Sequence, residues 1–338
     1  MAEPAGRPDP GQIEELLLGA QRRYTAVEVA AMTGLDLEFL RRLWRALGLA
    51  QQPDDAVAFT EDDVTGARTM AELLKLDPID EEAAIRLARA MGQSMSRLAM
   101  WQVDIVNTTV LDPRVPPTAE QIREVLAAAE VLMPRGEAQI GWVWRRQVAA
   151  AGIRALALVT ANEDASPNRM PLAVGFADLV GFTEFSRELD EVELAALVEG
   201  FEATAADIVV DRGARVVKTL GDEVLFTAET AEAAADVALR LAGTFAGDDG
   251  PRVRIGVSFG PVLPLLGDYF GTTVNLASRL TSVARPGTVL VDEKVAVGLA
   301  GDERFRLVRI PRKLVRGLGW IQPYALRAGA LLEADHEG

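Results

Sequence analysis

Residues 174–186, VGFADLVGFTEFS, set one carboxylate, Asp178, inside an apolar run with the length and composition of a buried strand. Burying an unpaired carboxylate costs several kcal/mol or more, so a cation is expected beside it. A second carboxylate, Asp222, stands in RVVKTLGDEVLFTA, two apolar strands joined by the tight turn Leu220-Gly221-Asp222-Glu223. A hairpin tip lying next to the end of the first strand brings Asp178 and Asp222 together. Two like charges at close range then require a divalent metal or a shared proton. With no His or Cys near them, oxygen-only ligation favours Mg²⁺ or Mn²⁺. Each Asp taken alone reads equally well as a cap without metal, and two such turns in one small domain weigh against that. After Asp178, the residues Val180, Gly181, Phe182 and Thr183 turn the chain so that a helix N-terminus can face a metal-bound phosphate. The third stretch is GDYFGTTVNLASRL, residues 267–280. Its Asn275 and Arg279 are four apart on an expected helix and project from one face, where an amide and a guanidinium can meet one anionic group. On a surface helix the same pair is more often only solvated.

The elements that must position these residues follow from periodicity. Strands are expected near 171–177, 214–219, 223–228, 252–258, 287–291, 305–310 and 320–327, and helices near 183–210, 230–246, 270–284 and 292–299. That order suits a ferredoxin-like α+β core with helices on one face of a mixed sheet. Residues 13–160 instead repeat apolar positions at three and four spacing and read as all-helical, with Pro78, residues 112–117, and Pro134 with Gly136 as breaks. Residues 1–12 read as a mobile tail, 161–171 as a linker, 172–328 as the second domain and 329–338 as a tail.

The chain has 338 residues, no cysteine and a formal net charge of −15. It is long enough for two domains with separate cores. Cysteine nucleophiles, disulfides and thiolate metal sites are excluded, which suits a reducing compartment. No stretch resembles a signal peptide or a membrane span, so a soluble, cytoplasmic protein is expected. The acidic surface argues against nucleic acid or an anionic membrane as a partner.

FADLVGFT, KTLGDEVLF and GDYFGTTVNLASRL, in this order, resemble the signature of class III nucleotidyl cyclases, over about Met170 to Arg327. The resemblance implies a class III cyclase catalytic domain in which Asp178 and Asp222, with Leu179 counted beside them, bind two Mg²⁺ or Mn²⁺ ions. It implies that Lys218 and Asp268 select the base and that Asn275 and Arg279 stabilise the transition state. Gly181, Phe182 and Thr183 become substrate contacts, and the substrate becomes ATP, converted to 3′,5′-cyclic AMP and pyrophosphate. Because adenine and guanine present opposite donor and acceptor patterns, the Lys and Asp pair argues for ATP over GTP. In this family the metal carboxylates and the remaining site residues come from different subunits. A homodimer with two composite sites is therefore implied. One departure is Pro261, where many members carry a phosphate-binding Arg. Arg316, in KLVRGLGWIQPYAL, matches a position that is commonly basic, and it reads equally as the replacement or as a solvated surface arginine.

Residues 23–64 resemble the winged helix-turn-helix of MerR-type regulators, with Arg41, Arg42 and Arg45 on the expected reading helix. Residues 1–75 nonetheless hold eight Lys or Arg against thirteen Asp or Glu, a net −5 that a DNA reader would not carry. The helical half is better read as a module for regulation and dimerisation. The whole layout resembles the actinobacterial soluble pH-responsive adenylate cyclases. The alternative is a DNA-binding regulator with a nucleotide-sensing, cyclase-like domain. The helix at 137–159 leads to the linker, and Trp142 and Trp144 are expected in a core. An apolar effector of the helical domain is compatible with its amphipathic pattern. The place of the sole histidine, His336, near the C-terminal end argues against it as a pH sensor.

Overall fold

The computed structural model describes residues 10–77, 79–112, 115–161, 170–247, 251–265, 267–315 and 317–330. The chain divides into two compact units, Met1–Ala151 and Gly152–Gly338.

In the first unit, α1 (Pro10–Leu18) precedes α2 (Ala26–Thr33), α3 (Leu37–Leu47), α4 (Glu61–Leu73) and α5 (Glu81–Val110). The helix starts are written in the sequence. Thr25 with Glu28 and Thr60 with Asp63 form capping boxes, Asp36 caps α3, and Gly34 and Gly48 close α2 and α3 in left-handed conformation. A bridge between Tyr24 and Phe59 and the stacking of Phe59 on Trp44 at 4.2 Å tie the segments before α2 and α4 to each other and to α3. The core joins Val29, Phe39, Leu40, Leu43 and Val64 to Ala84, Ile85 and Ala88 of α5. Gly92 lets α5 close on α3, because a Cβ there would run into the backbone of Leu47.

The last helix here, α6 (Ala119–Ala161), runs unbroken through Pro134 and Gly136, where the sequence suggested a stop. The proline removes one helix hydrogen bond. The carbonyl it strands lies on an exposed stretch open to water. Trp142 and Trp144, expected in a core, are exposed. Among the described residues, no helix is long and apolar enough to cross a membrane.

The second unit is built on β1 (Met170–Leu179), followed by α7 (Phe182–Glu188), α8 (Glu191–Asp211), β2 (Arg215–Leu220), β3 (Glu223–Ala228) and α9 (Ala231–Thr244). The chain continues through β4 (Val253–Leu265), β5 (Asp268–Phe270), α10 (Thr272–Val283), β6 (Val289–Val291), α11 (Glu293–Gly298), β7 (Phe305–Arg309), β8 (Lys313–Val315), β9 (Gly319–Ile321) and β10 (Tyr324–Ala328). The main sheet has the order β2-β3-β1-β4-β6-β10-β7, and β5 pairs with β4. Only β4 and β6 run parallel among these pairs. The helix expected near 183–210 is two, because Asp190 starts a new capping box, and β8 and β9 form a small hairpin that periodicity missed.

Alternation along β1 divides the cores. Ala173, Ala177 and Leu179 pack with α8, α9 and α11, whereas Leu172, Val174 and Phe176 pack on the other face with Ala277 of α10. Helices on one face therefore describe α8, α9 and α11, and α10 is the exception. What admits α10 is Gly256: a Cβ there would strike the backbone of Thr281 and Ala277. Thr281 Oγ1 then donates to the carbonyl of Phe176 at 3.2 Å, seating the helix on β1.

Candidate active site

Strand register puts the chemistry on the α10 face. Asp178 pairs with Glu223 of β3 on one side and with Arg254 of β4 on the other, so three charged residues form a row across the sheet. Cross-strand partners share a face, and Phe176, Leu225 and Gly256 continue the row's face one step along. The hairpin between β2 and β3 closes back on β1, for the Leu179 N–H donates to the carbonyl of Asp222 at 2.8 Å. That bond joins the end of the Asp178 strand to the turn carrying Asp222, as the sequence anticipated. Gly221, with φ of 67°, and Gly181, with φ of 82°, make the two turns, in a backbone region where glycine is free of the usual Cβ penalty.

The cation beside Asp178 is part of the protein. Arg254 Nε donates to Asp178 Oδ2 at 2.5 Å, with the aspartate side chain 13% exposed and the arginine 37% exposed. The apolar run around Asp178 implies a positive charge here, and an arginine supplies it where a metal alone is expected from the sequence. The missed signal is in RVRIGV, where one arginine interrupts a buried strand much as Asp178 interrupts its own. Even so, the carboxyl of Asp178 is held above the usual aspartate range: burial raises it most, Arg254 opposes, and Asp222 adds to the rise. Glu223 is raised as well, by burial first and then by the charges of Asp178 and Asp222. Three carboxylates, Asp178, Asp222 and Glu223, thus stand near one directly bonded cation, Arg254.

This donor set fits a hard divalent cation. It offers carboxylate oxygens from Asp178 and Asp222 with excess negative charge and no soft ligand. Leu179 can contribute only its main-chain carbonyl, since its side chain is 2% exposed and packed in the core. Among the described residues, no group of three Asp, Glu, His or Cys side chains is already gathered around one point.

Lys218 and Asp268 meet directly. Lys218 Nζ donates to Asp268 Oδ2 at 2.5 Å, across 50 positions of sequence. A β-bulge between Val216 and Lys218 makes this possible by pairing Lys218 with Leu225, which turns its side chain to the α10 face. The short β5 strand delivers Asp268, whose Oδ1 also accepts from the Tyr269 N–H at 2.8 Å. Asn275 and Arg279 lie one turn apart on α10, both exposed, and among the described residues neither side chain is drawn into an ion pair. Phe182 begins α7 and packs at the edge of the main core. Thr183 lies in α7, and Arg316 falls outside the described residues.

In the first unit, each arginine of the expected reading helix has an acidic partner. Arg41 bonds to Asp54 and Glu38, Arg42 to Glu82 with Glu81 at 3.6 Å, and Arg45 to Glu38 at 3.4 Å.

The mixed sheet carries the linked aspartates and the Lys218–Asp268 pair, and residues 166–328 match the model of the adenylate and guanylate cyclase catalytic domain. Residues 12–138 match the adenylate cyclase regulatory domain. An adenylate cyclase of Streptomyces coelicolor is 41% identical over 96% of this chain and 91% of its own length. One of Streptomyces griseus is 44% identical over 86% of this chain and 72% of its own. A protein of Mycobacterium tuberculosis described as a pH-sensitive adenylate cyclase is 29% identical over 93% of this chain and 81% of its own. This chain belongs to the class III adenylate cyclases and is an enzyme of that family, a phosphorus–oxygen lyase.

Proposed function

We propose that the chain works as a homodimer that converts ATP to 3′,5′-cyclic AMP and pyrophosphate, with two Mg²⁺ or Mn²⁺ ions per site held by Asp178, Asp222 and the carbonyl of Leu179. The observation that supports this most is the presence, on one sheet, of a carboxylate pair linked through the Leu179–Asp222 bond and of the Lys218–Asp268 pair. When bound, the ions screen the phosphates and lower the pKa of the ribose 3′-hydroxyl. No protein nucleophile is needed. Lys218 donates to adenine N1, and Asp268 accepts from the N6 amino group. Their mutual bond holds both side chains in place before a base arrives. Guanine, with N1–H and O6, leaves both mispaired. Asn275 keeps the ribose in line, and Arg279 gives two hydrogen bonds to the α-phosphate oxygens as charge builds. Gly181, Phe182 and Thr183 contact the triphosphate, and Arg316 supplies the tail cation that Pro261 does not.

In the dimer one subunit gives the carboxylates and the other gives Lys218, Asp268, Asn275 and Arg279. A lone subunit then has only incomplete sites. The helical unit, about residues 13–160, regulates the catalytic one, about 172–328, in response to pH or an apolar effector. Exposed apolar side chains such as Met100, Trp101, Ile105 and Trp144 support an interaction surface on it. His336, the pH sensor argued against above, lies outside the described residues. The DNA-binding reading is disfavoured by the acidic partners of Arg41, Arg42 and Arg45.

The test is product formation by the full-length protein with Mn²⁺ and either ATP or GTP over a range of protein concentrations. Cyclic AMP from ATP, with specific activity rising as dimers form, is the expected result. Preferential cyclic GMP, or specific activity independent of concentration down to a verified monomer, overturns the reading.

A further inference from the structure

The geometry points to Arg254 as a positioning residue for metal binding: its Nε holds Asp178 Oδ2 so that Oδ1 faces the cation in one orientation. This rests on the metal reading of Asp178 and Asp222 above. Asp178 has a backbone fixed by strand pairing on both sides, so its main remaining freedom is rotation of the carboxylate. Arg254 stands directly opposite across the β1–β4 pair, where neighbouring Cβ atoms are only about 5 Å apart. At that range Nε can reach the carboxylate without the side chain extending to its terminal nitrogens. The bond observed, Nε to Oδ2 at 2.5 Å, has that form.

Electrostatics works in the same direction. Glu223 lies on the other side of Asp178, and the Asp222 turn is bonded to the next residue of β1. Without Arg254 the Asp178 carboxylate would turn away from these two acids, and a cation would have to gather the ligands as it bound. Lys218, the other cation near this crowd, is engaged by Asp268. A protein hydrogen bond that orients a metal ligand is commonly conserved in effect even when it never touches the metal, and its loss typically weakens metal binding by about 10- to 100-fold. A lysine in the same place keeps the charge but not a planar donor of fixed direction.

The experiment is Mn²⁺ titration of full-length protein followed by electron paramagnetic resonance, in the presence of 3′-deoxy-ATP, which cannot cyclise. Wild type, Arg254→Met, Arg254→Lys and Asp178→Ala are compared, with circular dichroism to check folding. Arg254→Met should raise the Mn²⁺ dissociation constant by about 10- to 100-fold, and Arg254→Lys by several-fold with the fold intact. Asp178→Ala should abolish the tight signal. Binding as in wild type for Arg254→Lys, or tighter binding for Arg254→Met, overturns the positioning role while loss in Asp178→Ala leaves the metal reading standing. Unchanged binding in Asp178→Ala removes the metal reading, and the inference with it. If Arg254→Met does not fold, Arg254→Lys decides.

Discussion

The two units treat charge in opposite ways. Around α3 of the first unit, Arg41, Arg42 and Arg45 are each matched by acids, and Asp54, then Glu38, hold the Arg41 guanidinium above its ordinary range. In the second unit Asp178, Asp222 and Glu223 crowd where β1 ends beside the β2–β3 turn, with Arg254 as partner, and Asp178 and Glu223 are both held above their ordinary range. Matched pairs at a surface mostly hold a scaffold together. A surplus of one sign, maintained at a cost in stability, is what the proposed metal site calls for. Lys218 and Asp268 are a matched pair like those on α3, and only the proposed function gives them a part in binding the base.

The sharpest way to break this contrast is to remove a carboxylate from the crowd. Asp222→Ala should lower cyclic AMP formation by on the order of 10³-fold or more, since the metal contribution it helps hold is worth several kcal/mol of transition-state stabilisation. Turnover within tenfold of wild type would return Asp222 to the role of a turn cap. Next in size is Lys218→Met. It should cost about 10²-fold in kcat/KM for ATP and narrow the preference over GTP while leaving thermal stability nearly as it was. A large fall in stability with unchanged selectivity would make the pair structural, like those on α3.

The third effect concerns pH without metal. Carboxyls whose folded pKa is raised bind protons more tightly when folded, so they favour the native state most where they are neutral. That advantage is present below their ordinary values of 3.8 for Asp178 and 4.5 for Glu223, and is lost as pH rises through the higher folded values. Glu223→Gln should therefore raise the melting temperature of chelator-treated protein at neutral pH and flatten its decline from acid to neutral. Scanning calorimetry from pH 4 to 8 checks it, and a lower melting temperature for the variant at neutral pH would contradict the burden assigned to Glu223. The smallest effect belongs to Arg42→Ala, at about 0.2–1 kcal/mol by chemical denaturation, because Arg42 and its partners are exposed enough for solvent to screen them. A loss above about 2 kcal/mol would mean that these pairs do more than ordinary surface pairs.

Local signals made much of this legible. The lone Asp178 in an apolar strand, the Leu220–Glu223 turn and the i,i+4 spacing of Asn275 and Arg279 can be read within single stretches of chain, and the structure builds a strand end, a hairpin tip and a helix from them. What escaped depends on register between distant segments. Arg254 meets Asp178 across 76 positions, and the bulge that turns Lys218 toward Asp268 has no local signature in RVVKTL. The site of α10 on the second face depends on the absence of a Cβ at Gly256, which periodicity does not weigh. Pro134 misled in the other direction: it is a strong breaker by type, yet the exposed α6 continues through it.

The most direct measurement is anomalous diffraction at the manganese edge from crystals of the full-length protein grown with Mn²⁺ and 3′-deoxy-ATP. Peaks within coordination distance of both Asp178 and Asp222, with the triphosphate on the same ions, are the expected result. Bound nucleotide with no manganese peak between those two aspartates would contradict the central role given to them.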